Sequence, residues 1–300
     1  MPPVRTILCP VDFSDASRDA LHWAVALAAR YQSHLIVLTA VEPLLANAAQ
    51  VRFKQDLRTD TEPVLKDFVI SVLPSLHLRY VLDVQVGHAS DVILDAATRH
   101  PADLIVMGTH GIGGFQKLLL GSTTERVLRR TPVPILAVPQ AEDQSGGAPG
   151  VSRAASRITT VLAATDFSEP SDNAVRWAAD VAREHDALLL VVHVVAPTRV
   201  PVEWAGYVDG VDEERQAAAR RQLQERSASN ETALRVEHVV LLGPPIESIA
   251  TTAKARNASL LVMGLTGTER ILAPRPGSTA YGVLSSANIP VLVVPAALKS

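Results

Sequence analysis

Hydrophobic residues along the chain form short runs of strand length that alternate with longer amphipathic segments. In the first half, the apolar runs cover residues 5–11, 34–41, 78–86, 103–108 and 133–138, and helix-length segments cover 15–31, 44–73, 89–100 and 122–130. Strands that alternate with helices in this way are typical of a parallel sheet joined by right-handed crossovers. The pattern therefore predicts an α/β fold.

The second half of the chain repeats the first. Residues 6–28, TILCPVDFSDASRDALHWAVALA, align with residues 160–182, TVLAATDFSEPSDNAVRWAADVA. The later runs ADLIVMGTHG (102–111) and PVPILAVP (132–139) likewise align with ASLLVMGLTG and NIPVLVVP near the C-terminus. Self-similarity of this kind indicates duplicated structural units. We predict one domain at residues 1–140, a flexible linker rich in Gly, Ser and Ala at 141–156, and a second domain at 157–300.

The composition narrows the classes of function. The 300 residues are 47% hydrophobic but only 4% aromatic, and their net charge is −3. The high aliphatic and low aromatic content suits parallel strands covered by helices. The slightly negative net charge argues against nucleic-acid binding, which uses a positively charged surface. The apolar runs are shorter than the roughly 20 residues that span a bilayer. We expect a cytoplasmic protein that binds neither nucleic acid nor membrane, with its single cysteine, Cys9, as a buried thiol.

A glycine-rich stretch, GTHGIGGFQKLLLGST (108–123), lies between the fourth strand and the fourth helix. Open parallel sheets bind ligands at this end of their strands. Glycines let a backbone approach a phosphate closely, and the N–H groups at a helix start attract its charge. Taken alone, the stretch could equally be a flexible turn with a Ser/Thr cap.

The second copy favours the phosphate interpretation. It keeps Gly264, Gly267, Gly277 and Ser278 at the same spacing, whereas the equivalents of Gly113 and Gly114 are Glu269 and Arg270. A turn that needed only flexibility would have no reason to keep some glycines and lose the others.

The shared pattern G-x-x-G, nine residues, then G-S, together with D-F-S after the first strand, resembles the universal stress protein family, and in particular its tandem members. The resemblance covers nearly the whole chain outside the linker. It implies two Rossmann-like domains of the adenine nucleotide alpha hydrolase type, each a five-stranded parallel sheet of order 3-2-1-4-5 with helices on both faces. It also implies that the two domains pair through their last strands as a pseudo-dimer within the chain, and it leaves open whether two chains form a further homodimer. The expected ligand is ATP, with Mg²⁺ arriving alongside it.

The resemblance further implies one nucleotide site in each copy. Asp12 and Asp166 would contact the adenosine, and the backbone of Val41 and Val195 would read the adenine. The phosphate and ribose contacts would come from Gly108, Gly111, Gly121, Ser122 and Thr123, and from Gly264, Gly267, Gly277, Ser278 and Thr279. Each aspartate could instead only cap a turn.

The second site departs from the first in its spacer, where Pro274 and Pro276 each remove a backbone N–H and Arg275 adds a cation. The sequence leaves open whether this phosphate-binding loop is pre-formed or binds phosphate less well than the first.

These residues predict an ATP-binding regulatory protein that acts in the stress response through its conformation or through a protein partner, and not a dedicated enzyme. The phosphate loops of the related adenylating enzymes and the P-loop pattern are absent from the sequence. Two alternatives stay open: a slow ATP hydrolase that uses the same cleft, and a scaffold that works without nucleotide.

Overall fold

The structure is a computed structural model of the chain, and it describes residues 4–72, 78–109, 120–140, 158–198, 200–201, 210–227, 234–265 and 277–296. The predicted linker at 141–156 lies outside these residues, so the domain boundaries stay a prediction.

The described part of the first half contains five strands and five helices. They are β1 (Thr6–Pro10), α1 (Asp15–Tyr31), β2 (His34–Val41), α2 (Pro43–Phe53), α3 (Leu57–Val72), β3 (Tyr80–Val86), α4 (Ala89–Arg99), β4 (Leu104–Gly108), α5 (Ser122–Arg130) and β5 (Ile135–Val138).

The second half repeats this order with a single described helix between its second and third strands. Its elements are β6 (Thr160–Ala164), α6 (Glu169–Glu184), β7 (Leu188–Val195), α7 (Val211–Ser227), β8 (Val236–Leu242), α8 (Pro245–Ala255), β9 (Leu260–Gly264), α9 (Ser278–Ser286) and β10 (Val291–Val294).

The predicted single helix at 44–73 is wrong, because the structure has two helices there. The break follows Phe53, where Lys54 takes a left-handed conformation with φ of 55° and its N–H caps the Ala49 carbonyl. A left-handed residue ends a helix because it turns the chain out of the helical path. Neither glycine nor proline marks this break, so the sequence pattern did not reveal it.

All ten described strands form one sheet of order β3-β2-β1-β4-β5-β10-β9-β6-β7-β8. Each half therefore has the predicted order 3-2-1-4-5, with parallel neighbours throughout. The halves meet where β5 and β10 pair antiparallel, with Leu136 opposite Leu292. The predicted pairing through the last strands is confirmed.

Side chains alternate between the two faces of the sheet, which builds two apolar layers. In β1, Ile7 and Cys9 face the layer beneath α1 and α3, whereas Leu8 faces the layer beneath α4 and α5. In the second half, α6 and α7 cover the first of these faces, and α8 and α9 cover the other. Helices on both faces leave the carboxyl ends of the strands as the open edge, where the predicted site residues that the structure describes lie.

Candidate functional site

Asp12 lies just after β1 and forms a tight turn with Ser14. Its Oδ1 accepts the Ser14 N–H at 3.1 Å and the Ser14 hydroxyl. Ser14 in turn caps α1, because its Oγ accepts the Ser17 N–H at 3.2 Å. The second half repeats this turn with Asp166, whose Oδ1 accepts the Ser168 N–H at 3.1 Å. The turn-capping role that the sequence left open for the aspartates is thus present in both halves, and Ser168 caps α6 as Ser14 caps α1.

The residue after each aspartate has an unusual backbone conformation. Phe13 has φ of 66° and Phe167 has φ of 64°, a left-handed geometry that is uncommon for a bulky residue. Such outliers cluster where a fold must hold a functional group in place. The sequence reasoning assigned no role to these phenylalanines, although their recurrence within D-F-S marked them.

The two phenylalanines are held differently. Phe13 makes an edge-to-face contact with Phe68 of α3, with ring centroids 5.4 Å apart. Phe167 stacks on His193 at 4.3 Å and also lies beneath the guanidinium of Arg226. His193 is half-buried, and its Nδ1 lies 2.8 Å from the Thr165 carbonyl oxygen. Burial lowers the pKa of His193, and the hydrogen bond to Thr165 offsets part of that effect.

Gly108 ends β4 directly against the first turn of α1. A Cβ at this position would lie 3.0 Å from both the carbonyl carbon and the oxygen of Ala16. Gly264 has the same relationship to Pro170, at 3.0 Å and 3.1 Å from the corresponding atoms. Both glycines are therefore required for close packing of strand on helix, a role that the sequence reasoning missed. The same contact brings the aspartate turn and the strand end together.

The loop after β4 is closed at its base by one backbone hydrogen bond, from the Gly121 N–H to the Thr109 carbonyl at 2.8 Å. In the second half, the Gly277 N–H donates to the Leu265 carbonyl at 2.9 Å. The two loops thus leave and rejoin the fold in the same way. Gly111 and Gly267 lie outside the described residues, so their phosphate contacts stay predictions.

Helices α5 and α9 both begin at these closing glycines. Gly121 and Gly277 are the N-caps, with ψ of 139° and 146°, and a glycine supplies no side-chain acceptor to the first helical turn. The backbone N–H groups that begin a helix attract anions. In the first half, the Thr124 hydroxyl also donates to the Gly108 carbonyl at 3.0 Å, whereas Ala280 takes this position in the second half.

Ser122, Thr123, Ser278 and Thr279 occupy the first turns of α5 and α9. The serines are exposed and the threonines are half-buried. These hydroxyls therefore lie at the helix starts, as the sequence predicts.

Val41 and Val195 end β2 and β7 as predicted, and their side chains are buried. The Val41 carbonyl accepts the Gly87 N–H at 3.0 Å, and the Val195 carbonyl accepts the Gly243 N–H at 3.0 Å. These carbonyls therefore continue the sheet ladder towards β3 and β8. A carbonyl oxygen has two lone pairs, so the contact leaves room for a second donor.

Strands β1 and β4 are adjacent, with Ile7 opposite Leu104. The strand order reverses between them, because β2 lies on one side of β1 and β4 on the other. Such a switch point opens a crevice at the carboxyl ends of the strands. Asp12 follows β1 and Gly108 ends β4, so both lie at this end of the sheet in the first half, and Asp166 and Gly264 lie at the equivalent end in the second.

Sequence comparison identifies the family. The universal stress protein family model matches residues 3–139 and 157–295. The chain belongs to the universal stress protein family. A universal stress protein of Thermus aquaticus is 34% identical over 45% of this chain and 98% of its own length. The universal stress protein Rv2623 of Mycobacterium tuberculosis is 26% identical over 96% of this chain and 95% of its own length.

Structural comparison finds the same fold. The crystal structure of a universal stress protein from Archaeoglobus fulgidus superimposes with a TM-score of 0.67 at 20% identity, and the match covers 97% of this chain and 96% of that one. The tandem arrangement of this chain is therefore shared with a solved member of the family.

The described residues contain no group of three or more His, Cys, Asp or Glu side chains that could hold a metal ion. Within that same part of the chain, none of the helices has the length and apolar character needed to cross a membrane. Cys9 is fully buried, and burial raises the pKa of its thiol far above the usual value, which makes the thiol unreactive.

Proposed function

We propose that each half of the chain binds ATP at the carboxyl end of its strands, and that nucleotide occupancy regulates the protein's conformation or its binding of a partner. The observation that carries the proposal is a doubled arrangement: a turn aspartate, a glycine packed on the first helix, and a loop closed by a glycine that begins a helix. A purely structural turn would not need all three features in both halves.

Asp12 and Asp166 fit an adenosine contact. The Ser14 bonds to Oδ1 fix the direction of the Asp12 carboxylate, and Ser168 does the same for Asp166. An ionised carboxylate accepts about four hydrogen bonds, so ribose hydroxyls can donate to it while the turn persists.

The starts of α5 and α9 fit the phosphates. Gly121 and Gly277 leave the first helical N–H groups without a side-chain cap, and Ser122, Thr123, Ser278 and Thr279 add hydroxyls there. A helix N-terminus carries about half a positive charge, which stabilises a phosphate. Mg²⁺ would arrive with the nucleotide, whose phosphates it would partly neutralise.

A regulatory role is supported by the link between the two clefts. The Thr109 N–H donates to the Val138 carbonyl at the end of β5, and the Leu265 N–H donates to the Val294 carbonyl at the end of β10. Strands β5 and β10 pair with each other. Each loop base is therefore one hydrogen bond away from the strands that join the halves, so a shift at one cleft can reach the other.

The test uses isothermal titration of the full chain with Mg·ATP. The wild type is expected to bind two nucleotides, and Gly121→Asp or Gly277→Asp is expected to bind one. Aspartate is a favoured N-cap, so the helix start is kept, but its charge occupies the N–H groups and repels phosphate. Asn288→Asp adds the same charge at an exposed position just beyond the far end of α9 and is expected to leave both sites intact.

Two results would contradict the proposal: no ATP binding by the wild type, or unchanged stoichiometry in the Gly121→Asp, Gly277→Asp double variant. Phosphate release measured on the same samples separates a regulatory protein from a slow hydrolase. Release that disappears in the double variant would support the hydrolase alternative.

A further inference from the structure

The second half contains a cavity of about 520 Å³ between α6, α7, β7 and β8. Seven of its fourteen lining residues are aliphatic, and the deepest of these are the buried side chains of Leu189, Val191 and Leu223. One end of the cavity reaches Thr165 and Phe167, which flank Asp166. A volume of this size falls in the range of small-molecule sites, and an apolar lining favours an apolar occupant over water.

At two positions of its first helix that line the cavity, the second half has smaller side chains than the first half has at the equivalent positions. Val175 and Ala179 of α6 line it, whereas α1 has Leu21 and Val25, both buried, in their places. Each replacement removes methyl or methylene groups from the layer between helix and sheet.

The helix that packs across this layer also differs between the halves. Helix α3 buries Leu65, Phe68, Val69 and Val72. Helix α7 buries Ala219 and Leu223, and most of its other side chains are polar. The first half therefore buries larger side chains in this layer than the second half does, and the smaller ones leave more space for a ligand in the second half.

The rim of the cavity is charged. Arg183 pairs with Asp180, and Arg226 pairs with Asp172. Arg176 instead contacts the neutral amide oxygen of Asn173. The lining thus carries one more cation than anions, and the guanidinium of Arg176 is suited to hold a carboxylate.

We propose that this cavity binds small amphiphilic carboxylates, with the alkyl chain between α6 and α7 and the carboxylate on Arg176. Apolar walls supply the hydrophobic contribution, and the cationic rim selects the charge of the headgroup. The proposal does not depend on ATP binding, because Arg176 and the side chains that would hold the alkyl chain are not among the residues proposed to bind ATP, although one end of the cavity reaches the Asp166 turn.

The test is calorimetric titration of the full chain with decanoate. Decanoate is expected to bind at one site, while decyltrimethylammonium, which has the same chain and the opposite charge, and acetate, which lacks the chain, are expected not to bind. Arg176→Gln is expected to weaken decanoate binding about fivefold, the effect of losing a partly exposed ion pair. Ala179→Leu fills the cavity and is expected to weaken binding by about tenfold or more.

Matched variants in the first half provide the controls. His22→Gln changes the residue equivalent to Arg176, and Ala29→Leu adds the same bulk at an exposed position of α1. Both are expected to bind decanoate like the wild type, and thermal melts establish that each variant is folded. The proposal is overturned if the wild type does not bind decanoate, or if Arg176→Gln and Ala179→Leu both bind decanoate as tightly as the wild type does. It is also overturned if Gly277→Asp abolishes decanoate binding, because that result would place decanoate in the proposed ATP site.

Discussion

Gly108 and Ala16 are in contact across the junction of β4 and α1, where an added Cβ would be only 3.0 Å from the Ala16 backbone. Backbone atoms of a helix cannot move aside as a flexible side chain can. The contact therefore fixes the distance between the aspartate turn, which leads into α1, and the loop that follows β4. Pro170 and Gly264 fix the same distance in the second half.

Gly108→Ala is therefore expected to destabilise the fold by about 1–3 kcal/mol, because overpacking forces the strand and helix apart. The free energy of unfolding in urea measures this loss. Gly243→Ala is a suitable comparison, because its Cβ would meet the Ser248 hydroxyl, which can rotate away. Equal stability of Gly108→Ala and the wild type would show that the contact has no energetic role.

Asp12→Asn is expected to weaken ATP binding at the first site by about tenfold or more, the value of a hydrogen bond to a charged group. The asparagine Oδ1 can still accept from Ser14, so the turn and its helix cap should persist. Asp166→Asn should act in the same way on the second site alone. Titration calorimetry gives both affinities, and far-UV circular dichroism checks that α1 and α6 are kept. If both asparagine variants keep the affinity of the wild type, the aspartates serve only the turn.

Tyr31 and Glu184 connect the two halves on the face of the sheet that carries α1 and α6. Burial and a hydrogen bond to Glu184 both raise the pKa of the Tyr31 phenol, and Arg30 donates to the Glu184 carbonyl. Tyr31→Phe is expected to lower the free energy of unfolding by about 1 kcal/mol, because it removes one hydrogen bond. Adding Glu184→Gln should cost little more, since the two residues share one interaction. Tyr80→Phe, at a partly exposed edge strand, is the control and should be neutral. Additive losses in the double variant would mean that Tyr31 and Glu184 act independently.

His185 is expected to make the stability of the fold depend on pH. Burial and the charge of Arg30 lower its pKa, and Glu184 offsets part of that effect. Its buried Nε2 has no hydrogen-bond partner among the described residues. Because the pKa is lower in the folded state, the unfolded chain takes up the proton first as the pH falls. The stability that His185 contributes is fully present above about pH 6.5 and is lost as the pH falls through the folded value.

His185→Gln is therefore expected to flatten the fall in stability below about pH 6.5, which urea midpoints at several pH values would measure. His34→Gln, which makes the same replacement at an exposed position, is the control. His22 and His193 also have lowered pKa values because of burial, so part of the slope should remain in His185→Gln. If the stability of His185→Gln instead fell more steeply with falling pH than that of the wild type, the pH dependence could not be assigned to His185.

Much of the candidate site could be predicted from the sequence, because its residues recur in the two halves and lie at ends of elements. Asp12 and Asp166 follow the first strands, and Gly121 and Gly277 begin helices, as the pattern indicates. The role of Gly108 could not be predicted in full, because the atom that excludes a Cβ belongs to Ala16, far away along the chain. The positive φ of Phe13 could not be predicted for a similar reason, because Phe13 packs against Phe68 of α3, which is also distant along the chain.

The sequence by itself determined the alternation of strands and helices, the duplication and the positions of the recurring glycines, since these depend on local periodicity and on comparison of the chain with itself. Only the tertiary structure decided that β5 and β10 join antiparallel at Leu136 and Leu292, and that the second half has a cavity between α6 and α7. Both depend on side-chain volumes and hydrogen bonds brought together from distant parts of the chain. Such contacts exist only once the helices are packed on the sheet.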